Sequence, residues 1–346
     1  MNFPRVSAID MSYTWLPLDN AAKIFPAVTS REHTTVFRLS VILYSRVNYN
    51  RLLHAIKVVE TRFPYFRVCL KKGFFWYYLE HVKQEVVLAP DDKGICRTFK
   101  NTVSENPILY RILVKNNRIS VEFSHVLTDG SGGERFLTEL LRAYFNDEGI
   151  KKETLIEPPT CNDFTEEEFE DAYNRYFKSD IPPVIKYTKA FHLPFRLNRK
   201  PRFNVMVFQV SLCHIKEKAR LLEISITDYL VSVYLYILQE IHNELPRHKH
   251  YSRRKILRIQ VPVNLRKIYP TRSMRNFSLF VLPEIDLRLG NYSFDEIIKI
   301  VHYKARAILF VNKKQRNCYI RKELCLLGLF RTTHMIVTVI NRWCRS

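Results

Sequence analysis

The stretch that most constrains this chain runs from Ile108 to Phe145, where two strands, a turn and a helix must follow one another without spare residues. Ile108–Val114 reads as a strand and Asn116-Asn117 as a tight hairpin turn, since asparagine tolerates positive φ. Arg118–His125 is the return strand. Its alternation puts Ile119, Val121, Phe123 and His125 on one face, with Ser120, Glu122 and Ser124 on the other. The strand runs into His125-Val126-Leu127-Thr128-Asp129-Gly130, and Ser131-Gly132-Gly133-Glu134 has the spacing of a capping box. Phe136, Leu137, Leu140, Leu141, Tyr144 and Phe145 then recur at helical spacing, giving an amphipathic helix over Gly133–Phe145. The result is a strand–turn–helix corner with an inward histidine. Such a histidine reads either as a hydrogen-bonded core residue or as a general base. Gly132 and Gly133 leave room beside the imidazole, which favours the second reading.

The 346 residues, 47% of them apolar, suffice for two lobes with their own cores. Strands and helices interleave throughout, so the expected class is α/β (α+β), with a mixed sheet flanked by helices in each lobe. In the first lobe (1–150) a helix is expected over Tyr49–Thr61 and a strand over Phe74–Leu79. Residues 151–200 carry Pro158-Pro159, Pro182-Pro183, Pro194 and an acidic cluster from Asp163 to Asp171, and read as an irregular crossover. The second lobe (201–346) is expected to hold strands at Phe203–Leu212, Lys255–Val263 and Asn276–Leu282. Its helices are expected over Thr227–Glu240, capped by Thr227, and after the capping box Ser293–Glu296.

Composition excludes several classes. Seven cysteines form no C-x-x-C pair and make an odd total, as reduced thiols in a cytosolic protein would. No Cys/His cluster has zinc spacing, so no metal is expected. The apolar stretches 226–241 and 324–340 are interrupted by polar residues, and no signal sequence opens the chain; a cytoplasmic protein without a transmembrane segment is expected. The net charge is +21, and residues 301–346 alone hold ten Lys/Arg against one acid. Such a surface attracts polyanions, whether lipid, nucleic acid or a phosphorylated small molecule. No nucleic-acid-binding motif accompanies it, so nucleic acid is not an expected partner.

His125 to Gly130 resembles the H-x-x-x-D-G motif of the CoA-dependent acyltransferase superfamily, which includes chloramphenicol acetyltransferase, condensation domains and alcohol acetyltransferases. Four further segments agree in order. Tyr13–Phe25 is similar to the opening of alcohol acetyltransferase-like proteins, and Arg62-Phe63-Pro64-Tyr65-Phe66-Arg67 resembles an R-x-P-x-(L/F)-R segment. Val261–Arg266 resembles a P-V-x-x-R strand, and Arg275-Asn276-Phe277 a G-N-F strand. The resemblance implies a two-lobed fold and acyl transfer from acyl-CoA (acetyl-CoA) as co-substrate to an alcohol or amine, with no bound cofactor. His125 would be the general base and Asp129 a structural carboxylate paired with an arginine, Arg266 first and Arg67 second. Gly130 would let the helix start close to the site. Arg266 and Asn276 are supporting candidates, Asn276 and Ser278 as oxyanion donors. Arg62 and Arg67 otherwise read as solvated charge. Two alternatives stay open: a binding protein that keeps the fold without catalysis, and a condensation-like enzyme using a carrier-protein thioester. Relatives continue past the long second-lobe helix, whereas Leu324–Ser346 matches none of their segments, so a truncated or shortened second lobe is expected.

Overall fold

The hairpin Tyr110–Ser124 anchors the architecture, and its turn is made by Asn116 at φ 55°. The structure is a computed structural model and describes residues 15–29, 34–86, 88–92, 94–99, 107–146, 165–177, 187–194, 210–246 and 253–315, the last eleven by backbone alone. The expected strand at 203–209, Cys161, Asp163 and the segment 324–346 lie outside the described residues. Two units are distinct: one runs to Arg175 and includes Tyr269–Phe277, and the other spans Tyr176–Ile268 and continues from Ser278.

The first unit holds β1 (Trp15–Pro17), α1 (Phe25–Val28), β2 (Val36–Ile42), α2 (Tyr49–Arg62), β3 (Val68–Lys72), β4 (Tyr77–His81) and β5 (Leu88–Pro90). It continues with β6 (Tyr110–Lys115), β7 (Arg118–Ser124), α3 (Gly130–Asn146) and α4 (Ala172–Arg175). A mixed sheet has the order β2-β7-β6-β5, with β5 parallel to β6 and the other pairs antiparallel. A second, antiparallel sheet has the order β1-β4-β3. Helices α2 and α3 pack against one another, burying Leu52, Ile56 and Val59 with Phe136, Leu140 and Tyr144. Phe66 stacks on Phe136 at 5.1 Å and meets Phe123 edge-on at 6.2 Å. Truncating any one of these rings would cost about 3–5 kcal/mol.

β7 is buried on both faces. The face carrying Ser120, Glu122 and Ser124 is as enclosed as the apolar one. Glu122 accepts from Arg38 (2.6 Å), Arg111 (2.6 Å) and the Cys96 amide (2.7 Å), while Asp91 pairs with Arg38 (3.0 Å) and Arg118 (2.7 Å). A carboxylate at such depth is tolerated because two guanidinium groups and an amide replace its water.

Two expectations in this unit change. The strand placed at Phe74 begins at Tyr77, because Gly73 turns back and donates to the Trp76 carbonyl at 2.7 Å, leaving Phe74-Phe75-Trp76 as the tip of the β3–β4 hairpin. Part of the acidic crossover is a short turn, Glu166–Phe169, that buries Glu168. Glu168 takes both Arg62 nitrogens (2.7 and 2.6 Å), Arg135 (3.0 Å) and the Tyr65 hydroxyl (2.9 Å). Burial opposes the charge of this carboxylate, yet these donors hold its pKa below the ordinary value. Arg62 is thus a half-buried partner of Glu168, in place of solvated charge.

The second unit contains α5 (Leu212–Leu221), α6 (Ile226–Glu244), β8 (Ile256–Arg258), β9 (Val261–Asn264), β10 (Ser278–Val281), β11 (Glu284–Asp286) and α7 (Phe294–Gln315). Leu212 opens a helix capped by Ser211, so it is not the end of a strand. α6 is capped by Ser225 with Asp228 in a reciprocal capping box, in place of Thr227. The run Lys255–Val263 divides into β8, paired with β11, and β9, paired with β10. The division falls where Pro283, which has no N–H, interrupts the facing run and accepts from Ile259 at 3.1 Å. Ser293 and Glu296 cap α7 as the spacing indicates. Leu235, Leu257, Ile285, Ile297 and Val301 form the core.

Candidate active site

His125 follows the last residue of β7, and its amide donates to the Thr35 carbonyl at 2.8 Å. The imidazole lies between two phenylalanine rings, Phe25 at 5.1 Å and Phe37 at 4.5 Å. Phe37 is the register partner of Phe123 and stacks on it at 5.4 Å, so the imidazole is on the Phe123 face of the strand, as alternation requires. Ser124 and Val126, on either side of His125 in the chain, line a cavity of about 190 Å³ with Pro26, Thr35, Leu70 and Tyr77.

Asp129 is the N-cap of α3. Its Oδ1 accepts from the amides of Ser131 and Gly132 (both 3.1 Å), and its Oδ2 from the Phe277 amide (2.8 Å). One carboxylate thereby fixes the start of the helix and a segment 148 residues away. The helix starts at Gly130, so Ser131–Glu134 falls within its first turn and Asp129 takes the capping position. Helix N-termini favour a negative charge there.

The steric demand for glycine falls two residues beyond Gly130. A Cβ on Gly130 would meet nothing within 4 Å, and Gly130 is exposed. On Gly132 it would collide with Thr128 Oγ1 and the Met274 carbonyl, which are hydrogen-bonded to each other at 2.5 Å. On Gly133 it would press on the Phe37 and Phe123 rings. The space left by the two glycines is therefore filled by protein: by the 269–277 segment at one, and at the other by the ring that faces His125.

Asn276 donates through Nδ2 to the His125 carbonyl (2.9 Å) and to Asp19 Oδ2 (3.0 Å). With both amide hydrogens so directed, its place here is behind the histidine backbone, and it is not aimed at an oxyanion. Asp19 is fully buried; its Oδ1 accepts from the Ala22 amide at 2.8 Å and its Oδ2 lies 3.6 Å from Arg275 Nε. Burial raises the Asp19 pKa to about 6, against the opposing pull of Arg275 and Asn276. Arg275 also donates to the carbonyls of Pro17 (2.5 Å) and Phe169 (3.4 Å). Asp19, Arg275 and the two phenylalanines are absent from the expected site. Asp19 had a signal, as the one acid in Tyr13–Phe25, a segment already picked out by resemblance.

Of the remaining candidates, Arg67 is placed away from Asp129, and Arg266 and Ser278 belong to the second unit. Arg67 donates to the Lys83 and Gln84 carbonyls (2.6 and 3.0 Å) and approaches Glu60 at 3.9 Å, so it is not the partner of Asp129. Arg266 lies in the second unit on the turn Leu265–Lys267, where Asn264 accepts from its amide at 3.0 Å. Ser278 opens β10 of the same unit.

No protein-family model and no curated protein matches the sequence. Solved structures do match. SgcC5 from Streptomyces globisporus aligns over 87% of this chain and 75% of its own, with a TM-score of 0.55 and 14% identity. Polyketide synthase associated protein 5 from Mycobacterium tuberculosis gives 0.55 at 13% identity, over 87% and 75% of the two chains. TRI101 of F. sporotrichioides, crystallised with coenzyme A and T-2, gives 0.51 at 13% identity, over 88% and 76%. The fold is the one these three structures share. Arg275 stands where the G-N-F pattern has glycine, and its guanidinium occupies the interior beside Asp19. The H-x-x-x-D-G residues lie at the end of a central strand and the start of the helix after it.

Proposed function

We propose that this protein moves an acetyl or other short acyl group from acyl-CoA to a small alcohol or amine, with His125 as general base. The supporting observation is the setting of His125: an imidazole against Phe25 and Phe37 at the buried end of β7, its own carbonyl tied to Asn276. In this reading the imidazole takes the proton of the acceptor hydroxyl as that oxygen attacks the thioester carbonyl carbon. The C–S bond then breaks, and the imidazolium returns the proton to the departing thiolate. No acyl-enzyme forms. A thioester is already activated, so a positioned base and a fixed acceptor supply most of what the step needs. Asp129 and Asn276 act by positioning, Gly130 is simply the first residue of α3, and Arg266 keeps the supporting role that the sequence resemblance gives it.

The test is thiol release from acetyl-CoA against a panel of alcohols and amines. His125→Ala is expected to lower kcat/KM by about 10²–10⁴-fold with an unchanged circular dichroism spectrum. Turnover that persists undiminished in this variant removes the general-base assignment. Transfer from a carrier-protein thioester alone would assign condensation-type chemistry instead. CoA binding by calorimetry without turnover of any acceptor would mark a fold retained for binding.

A further inference from the structure

The β3–β4 hairpin ends in three consecutive aromatic residues that the fold does not use. Phe74 is 85% exposed, Phe75 84% and Trp76 58%. The two phenylalanine rings touch only edge to face, at 4.4 Å, and the tip is held by the backbone bond from Gly73 to Trp76. Below the tip the aromatic surface continues on the sheet with Tyr78 of β4. Trp15 of β1, itself 60% exposed, meets Tyr78 there at 6.3 Å. Lys72 stands exposed at the neck of the hairpin beside Lys71, which pairs with Glu80 of β4 at 3.2 Å, and no acidic residue lies between Gly73 and Leu79.

We propose that this tip inserts into the interface of an anionic lipid membrane. The chemistry is complementary on three counts. Phe74 and Phe75 project furthest and are purely apolar. Trp76, Tyr78 and Trp15 follow with the amphipathic rings that concentrate at headgroup depth. Lys72 comes next, at the level where anionic headgroups lie, on a protein whose net charge is +21. A protein partner is a poorer occupant. A specific protein interface of roughly 800 Å² per partner requires a surface shaped to match this tip. A lipid surface requires no matching shape and accepts a narrow protruding tip.

The experiment is co-sedimentation of the full chain with vesicles of phosphatidylcholine, with and without phosphatidylserine. Wild type is expected to bind the anionic vesicles and to leave the neutral ones largely unoccupied. Phe74→Ser/Phe75→Ser/Trp76→Ser is expected to lower partitioning by about tenfold or more, and Lys72→Ala by about fivefold. Brominated lipid should quench tryptophan emission in wild type, and much less in Trp76→Phe, which still binds. The proposal is overturned if wild type ignores anionic vesicles, or if the triple-serine variant binds as well as wild type. It is also overturned if Trp76 emission is not quenched on binding, or if the tip makes the chain dimeric in lipid-free buffer while the triple-serine variant is monomeric.

Discussion

Asp19 shows how much a single buried carboxyl can govern here. It touches Ala22, Asn276 and Arg275, and through Asn276 it supports the carbonyl of His125. Its pKa is raised from 3.8 to about 6, with burial the largest cause, so between these values the folded state holds a proton that the unfolded chain has released. Folding stability due to this group is therefore greatest in acid, falls as pH rises from about 4 to 6, and is level above. Asp19→Asn cannot ionise and lacks this slope. Urea midpoints of both proteins across that window should show wild type losing roughly 1–3 kcal/mol relative to the variant. A constant difference across the window would mean that Asp19 is ionised throughout.

At the scale of the element, the start of α3 depends on two residues whose weights differ from what the motif indicates. Gly130 belongs to the hexapeptide, yet a methyl there meets nothing, whereas Gly132 is closed off by Thr128 and the Met274 carbonyl. Gly132→Ala should destabilise the protein by roughly 2–3 kcal/mol, since a backbone carbonyl cannot step aside as a side-chain end can. Gly130→Ala should be neutral or stabilising by up to about 1 kcal/mol. Thermal melts of the two variants decide this; equal losses would put the constraint on the motif glycine after all. Much of this corner was legible beforehand. Period-two alternation found β7 and the face of His125, and helical spacing found α3. The cap was misplaced because Ser131–Glu134 has the right spacing, while the choice of Asp129 depends on the Phe277 amide that it also satisfies. α6 shows the same difficulty on a smaller scale: Ser225 and Thr227 are both competent caps, and the structure uses the one that Asp228 reciprocates.

Across the whole molecule, the segment 269–277 joins the first unit although it follows most of the second in the chain. It supplies the Phe277 amide to Asp129, Asn276 to Asp19 and the Met274 carbonyl to Thr128. A chain ending near residue 200 lacks all three and leaves two buried carboxylates short of donors. Such a fragment is expected to melt well below the full chain and to bind a hydrophobic dye; a cooperative transition at the full-length midpoint would show the segment to be dispensable. By itself the sequence determined the alternation of strand and helix, the polarity of each face and the chemistry at the end of β7, because these depend on neighbours a few residues apart. The tertiary structure decided the rest. Arg62 meets Glu168 across 106 residues and Asn276 reaches the His125 carbonyl across 151, and local periodicity carries no information about such pairs. The burial of Glu122, Glu168 and Asp19 follows from pairs of this kind, Arg38 with Glu122 among them, since a charge enters the interior only where distant donors are already in place.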